Sequence, residues 1–127
     1  MKSKVLLDTN VVIRFLTKDG GEHYEYAKSI FRDIAEKKFE AELLNVIIAE
    51  TVYVLHSFYK HTKEDIASTL KDLFAQDAIY IEKKFIILEA LDIFAKKNID
   101  FADAILCAKK NLESYEVMSF DKDIAKC

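Results

Sequence analysis

Proline is absent from this 127-residue sequence, and its two glycines stand together at Gly20 and Gly21. An all-β sandwich needs many turns built from these residues, so the chain does not read as that class. A helix-rich chain with few, short strands is expected. Long apolar runs are also missing. None approaches the roughly 20 residues of a membrane helix. The first run, after Lys2 and Lys4, stops at Asp8, too short for the apolar stretch of a signal peptide. A cytoplasmic location with no membrane segment is the expectation. Basic residues are not in excess: 19 Lys and Arg face 22 Asp and Glu, a net charge of −3. A general duplex-DNA binder usually has the opposite balance. A nuclease, whose acidic site needs only local basic patches, is not excluded. Cysteine is scarce. Cys107 and Cys127 have neither CxxC spacing nor a nearby His pair, so zinc is not expected. Free thiols in a reducing cytosol are the expectation, although a bridge would need only proximity in the fold.

What is present is a core. Apolar residues make up 51% of the chain, and residues 1–127 read as one domain, of a size that buries roughly two-thirds of its unfolded surface. Val5, Leu6 and Leu7 form a first strand over 4–7. Val11, Val12, Phe15 and Leu16 recur at helical spacing, closed by Gly20-Gly21. Ala27, Ile30, Phe31 and Ile34 mark an amphipathic helix over 22–38, with Tyr24 and Tyr26 near its start as core or rim packing residues, a partner surface being the alternative. A second strand is predicted over 42–44, then a strongly apolar helix over 46–59 capped by Asn45. Thr62, with Asp65 three residues on, opens a helix whose buried face is Ile66, Leu70, Leu73 and Phe74. A third strand over 78–81, a helix over 85–97, a helix over 100–112 and a fourth strand over 117–120 follow. Strands alternating with helices predict a mainly parallel sheet covered on both faces.

Four acids fit poorly as ordinary surface. Asp8 ends the first apolar run, where open α/β sheets bind ligands. Asp is also a good helix N-cap, worth about 1 kcal/mol, and this stretch alone fits both readings equally. Glu50 lies in Val46-Ile47-Ile48-Ala49-Glu50-Thr51-Val52-Tyr53-Val54. Its helical neighbours Val46, Ile47, Tyr53 and Val54 offer no cation, so a buried carboxylate is expected there, costly unless paired or metal-bound. The bland alternative is a narrow exposed stripe shared with Ser57. In Asp100-Phe101-Ala102-Asp103, Asp100 reads as the helix cap, while Asp103 precedes an apolar run and points from a helix N-terminus. Asp121 repeats the geometry of Asp8 at the exit of the fourth apolar run, a position also common for a turn Asp. Asp123 reads as a solvated or capping residue.

If the strands are parallel, these acids share one sheet edge, and four carboxylates there need counter-charge. Oxygen-only ligands suit Mg²⁺ or Mn²⁺, and such a centre activates water for attack on a phosphodiester. Arg14, one helical turn past Asn10, and Lys18, a turn later, are candidate contacts to a phosphate backbone, though a solvated helix face explains them as well. The lysine pairs near helix ends fit dipole complementarity. His23, His56 and His61 lack ligand spacing and read as structural.

Leu7-Asp8-Thr9-Asn10, Ala49-Glu50, Asp100-Phe101-Ala102-Asp103-Ala104 and Ser119-Phe120-Asp121-Lys122-Asp123, in this order, resemble a PIN domain of the VapC type found in toxin–antitoxin pairs. The resemblance covers nearly the whole chain. It implies a Rossmann-like three-layer α/β/α sandwich with a short, mainly parallel sheet, and a Mg²⁺- or Mn²⁺-dependent endoribonuclease. It carries over Asp8, Glu50, Asp103 and Asp121 as the catalytic, metal-binding acids, with Asn10 and Ser119 as polar supports beside the first and fourth. Asp100 stands with these supports. A homodimer, a VapB-type antitoxin and a tRNA or rRNA substrate follow from the same resemblance. The family pattern often continues past the fourth acid into an edge strand. The sequence here reaches Cys127, so that strand is expected to be absent or very short.

Two other readings remain. One is a PIN-like RNA-binding or regulatory module whose acids hold a structural metal ion. The other is a phosphotransfer receiver, but that fold places a phosphoacceptor Asp after the third strand, where this chain has Glu82-Lys83-Lys84.

Overall fold

The computed structural model describes residues 3–18, 21–122, 124 and 127. The elements run β1 (Lys4–Leu6), α1 (Thr9–Thr17), α2 (Gly21–Ala35), β2 (Glu40–Glu42), α3 (Asn45–Tyr53), a π-helical turn (Val54–Phe58), α4 (Lys63–Phe74), β3 (Ile79–Tyr80), α5 (Lys84–Lys96) and α6 (Phe101–Glu113). The strands form a parallel sheet in the order β1-β2-β3. Val5 pairs with Ala41, and Ala41 with Ile79. A parallel pair needs a long crossover. The α1–α2 pair supplies the first, and α3 with α4 supplies the second. Helices flank the sheet in an α/β/α arrangement, as the alternating pattern predicts.

Burial explains the elements. Ala41 in the central strand and Leu43, Ile79 and Ile81 at the strand ends are almost fully buried. Val12 and Ile13 of α1 and Phe31 and Ile34 of α2 join the same core. The rings of Phe15 and Phe31 stack at 4.3 Å, binding α1 to α2. In α4 the predicted buried face is observed at Ile66, Leu70, Leu73 and Phe74, and the Thr62 hydroxyl accepts the Asp65 N–H at 3.1 Å as its cap.

Several boundaries differ from the sequence reading. The second strand lies two residues earlier, over Glu40–Glu42, because Ala41 is the residue that sits between Val5 and Ile79. Asn45 is the first helical residue of α3. Leu44 holds the extended N-cap backbone, with no side-chain cap. The helix predicted to run on to Tyr59 widens into a π turn at Val54, so that Tyr59 N–H reaches the Val54 carbonyl at 3.1 Å. At the end of α1 the left-handed turn is made by Lys18 (φ 53°), and Gly21 (φ 75°) already opens α2. Gly20 and Asp123 lie outside the described residues.

Two corrections are larger. No strand forms over 117–120 among the described residues. Met118 is 89% exposed and Phe120 fully exposed, so this apolar run finds no second layer to repay the ordering of a strand. Cys107 and Cys127 are joined in a disulfide, against the expectation of free thiols. Cys107 is buried in α6 and Cys127 packs against the core. The Cα atoms stand 5.4 Å apart, within bridging range. Sequence spacing carried no information about that proximity.

Candidate active site

Leu7 is buried at the end of β1, and the chain leaves the sheet at Asp8 with the carboxylate exposed. All three strands run parallel, so Asp8 stands at their carboxyl edge. Its backbone is that of an N-cap (φ −86°, ψ 155°), and its carbonyl accepts the Val11 N–H at 3.1 Å. Its side chain makes no capping hydrogen bond. Both readings of this residue therefore hold in part: the backbone caps the helix, while the carboxylate is not used in doing so. The positive end of the α1 dipole favours an anion at this position.

Thr9, beside it, was not singled out by the sequence. It is 4% exposed, and its hydroxyl finds no hydrogen-bond partner among the described residues. A buried polar atom left unpaired costs about 1–3 kcal/mol. Thr9→Val keeps the shape and removes that atom, so it is expected to raise the unfolding free energy by about 1 kcal/mol in urea titration. A loss of stability would show that the hydroxyl has a partner.

Glu50 is exposed, which corrects the expectation of a buried carboxylate. Val46 and Tyr53, expected to surround it with core, are each 69% exposed, and Ser57 is exposed too. The exposed stripe was the right reading. The buried face of α3 is carried by Ile48, Thr51 and Val52 instead. An apolar residue on a helix reads as core from sequence, and only the packing shows which apolar face is covered.

The start of α6 is held from several sides. Phe101 is buried and meets Phe94 edge-on at 5.7 Å. Lys63 Nζ donates to the Ile99 carbonyl at 2.7 Å and lies 4.5 Å from the centre of the Phe94 ring. Asp103 is half-buried in the first turn of this anchored helix. Asp100 occupies the N-cap as expected, with its carbonyl accepting the Ala104 N–H at 2.9 Å, but its side chain makes no capping hydrogen bond. Asp121 is exposed, and its N–H donates to Ser119 Oγ at 2.9 Å. Ser119 thus shapes the turn at Asp121 even though no strand leads into it.

Helix α3 packs against both α1 and α6. Glu50 thus lies on a helix that contacts both the helix Asp8 precedes and the helix that carries Asp103, while Asp121 lies within the loop closed by the Cys107–Cys127 bridge. The donor set is all carboxylate oxygen, the chemistry of a hard divalent cation. Yet among the described residues no three His, Cys, Asp or Glu side chains form a group able to hold a metal ion. The structure places three of the acids on neighbouring elements without closing a coordination shell around them.

The basic candidates separate. Arg14 lines a cleft between α1 and α2 together with Asn10, Val11, His23, Tyr26 and Ala27. Lys18 lines a different depression, with Phe15, Leu16, Thr69, Asp72 and Leu73. The left-handed turn at Lys18 ends the helical face that the spacing assumed it would share with Arg14. His23, read as structural, is exposed at the cleft. The available signal was its spacing of three from Tyr26, which places both on one helix face.

Comparison with known proteins identifies the family. A family model described as PIN domain matches residues 5–127. The chain is also similar to a VapC ribonuclease of Aquifex aeolicus (strain VF5), at 30% identity over 122 residues, covering 95% of this chain and 90% of that protein.

Proposed function

Because the chain belongs to the PIN-domain family, we propose that it is a VapC-type endoribonuclease, the toxin of a toxin–antitoxin pair, acting as one unit over residues 1–127. The observation that carries this reading is the exposed carboxylate of Asp8, delivered to the carboxyl edge of a parallel sheet and not used to cap its helix. Glu50 and Asp103 on the adjoining helices support it.

The cofactor in this reading is Mg²⁺ or Mn²⁺, with Asp8, Glu50, Asp103 and Asp121 as the residues that would hold it. A bound divalent ion supplies charge neutralisation at a phosphodiester and activation of water. The chain's own residues do the positioning. The α1 N-terminus favours negative charge beside Asp8. Lys63 and Phe94 fix the start of α6 and with it Asp103. Ser119 shapes the turn that presents Asp121. Arg14 offers a cation one turn from Asn10, and Lys18 a second one for more distant phosphates. Cleavage in this reading leaves a 5′-phosphate and a 3′-hydroxyl.

The substrate class is RNA, with tRNA and rRNA first among the candidates. A VapB-type antitoxin and a second copy of the chain are the proposed partners, supported by large exposed apolar side chains such as Val46, Tyr53 and Phe58. No helix among the described residues is long and apolar enough to cross a membrane, and a cytoplasmic location goes with the RNA substrate.

The test is incubation of a total tRNA and rRNA pool with purified protein in Mg²⁺, Mn²⁺ and EDTA arms. Discrete products that appear with metal and vanish with EDTA are expected. A second reading has one observation in its favour. Because no three acids close around an ion among the described residues, a non-catalytic PIN-like RNA-binding or regulatory module also fits; the same observation supports the structural ion of that reading no better than a catalytic one. Absence of turnover in every metal arm, with RNA binding retained, would select it.

A further inference from the structure

We propose that the cleft between α1 and α2 is a nucleobase-binding subsite, which selects single-stranded RNA by the base it holds next to Asp8. The proposal rests on the endoribonuclease reading and deepens it by assigning the feature of the RNA that is read. The cleft has a volume of about 250 Å³ and is lined by Asn10, Val11 and Arg14 from α1 and His23, Tyr26 and Ala27 from α2.

Its construction follows from helical spacing. Asn10 and Arg14 are four residues apart, and His23 and Tyr26 are three apart, so each pair shares a face of its helix. The stacked Phe15 and Phe31 fix the two helices side by side further along. Ala27 is buried and Val11 half-buried, giving an apolar floor. Tyr26 lines the cleft and is 67% exposed, so an aromatic side chain is accessible there. Asn10, Arg14 and His23 are all exposed and put polar atoms around that floor. Among the described residues no acid lines the cleft.

An unstacked base requires this combination. It has two apolar π-faces, which stack on aromatic rings or guanidinium planes, and an edge of donors and acceptors. Asn offers both a donor and an acceptor, Arg offers only donors, and His offers either according to its tautomer. A base inside a duplex is stacked on both sides and cannot enter, so the ligand is a single-stranded loop, bulge or end. The position links the cleft to chemistry. Asn10 lines it and lies two residues past Asp8 in the first turn of the same helix. A nucleotide seated there sets which neighbouring phosphodiester lies at Asp8.

The test measures binding apart from cleavage. Fluorescence anisotropy with short labelled single-stranded RNAs, varied at one position through the four bases and an abasic residue, is read in an Asp8→Asn background. Tyr26→Ala is expected to weaken binding about ten-fold, the loss of one stacked base, and to flatten the preference among the four bases. Tyr26→Phe is expected to keep both. Because Tyr26 is largely exposed, its thermal unfolding should match that of the parent, which separates a binding loss from a folding loss. In the cleavage-competent protein the same change should raise KM by a similar factor with kcat little altered. Unchanged affinity and base preference in Tyr26→Ala and in His23→Ala overturn the proposal while the endoribonuclease reading stands, and leave the cleft to a protein partner. Failure of the wild-type protein both to bind and to cut RNA overturns the two together.

Discussion

Asp8→Asn is expected to lower the rate of RNA cleavage by about 10²–10⁴-fold, the loss found when an essential charged group is removed from a catalytic centre. The substitution is chosen so that little else changes. Asn is as good an N-cap as Asp, the side chain makes no capping hydrogen bond to lose, and the carboxylate is exposed. The dipole contribution of an exposed acid at a helix N-terminus is about 0.3–1 kcal/mol, too small to unfold the chain. Activity and stability should therefore part company: cleavage lost, thermal unfolding nearly unmoved. Asp103→Asn is expected to lower cleavage by a similar factor. Glu50→Gln is the sharper companion, since Glu50 sits on an exposed stripe where charge removal has no folding cost to confuse the result. Full cleavage by Asp8→Asn and Asp103→Asn, prepared alongside the wild type, would remove both residues from the site.

Breaking the Cys107–Cys127 bridge is expected to cost about 3 kcal/mol of stability, from the loop-closure entropy regained by the unfolded chain. The bridge spans a sequence separation of 20, and for a domain of this size such a loss corresponds to a fall in Tm on the order of 10 °C. Cys127→Ser is the better variant, because Cys107 is fully buried and a hydroxyl there would add a desolvation cost of its own. Reductant should lower the Tm of the wild type toward that of Cys127→Ser and leave the variant where it is. A wild-type Tm unmoved by reductant, with two thiols titrating, would refute the expectation. Asp121 lies inside the closed loop, so cleavage measured in the same pair of states reports whether the tether also sets the position of the fourth acid.

Both predictions turn on features that differ in how far the sequence reveals them. The amphipathic faces of α2 and α4, the cap at Thr62 and the exit of β1 at Asp8 are legible because they are local. Each depends on residues within one or two turns, and the 3.6-residue period or the end of an apolar run records it directly. The parallel sheet is legible one level up, since alternating strands and helices leave few other arrangements. Four ordered acid motifs were enough to point to the family, because their order along the chain needs no knowledge of where they meet.

What the sequence by itself determined is thus the helices, the first three strands, the α/β class and the family. The tertiary structure decided how those elements meet. It exposed Glu50, because α3 buries Ile48, Thr51 and Val52 and leaves Val46 and Tyr53 outside. It left residues 117–120 without a ladder, because no second layer covers Met118 and Phe120. It joined cysteines 20 residues apart, and it opened the cleft between α1 and α2 beside Asn10. Each of these depends on contacts between residues distant in the chain. Their free energy is set by which apolar surfaces cover one another, and no periodicity within a single element carries that information.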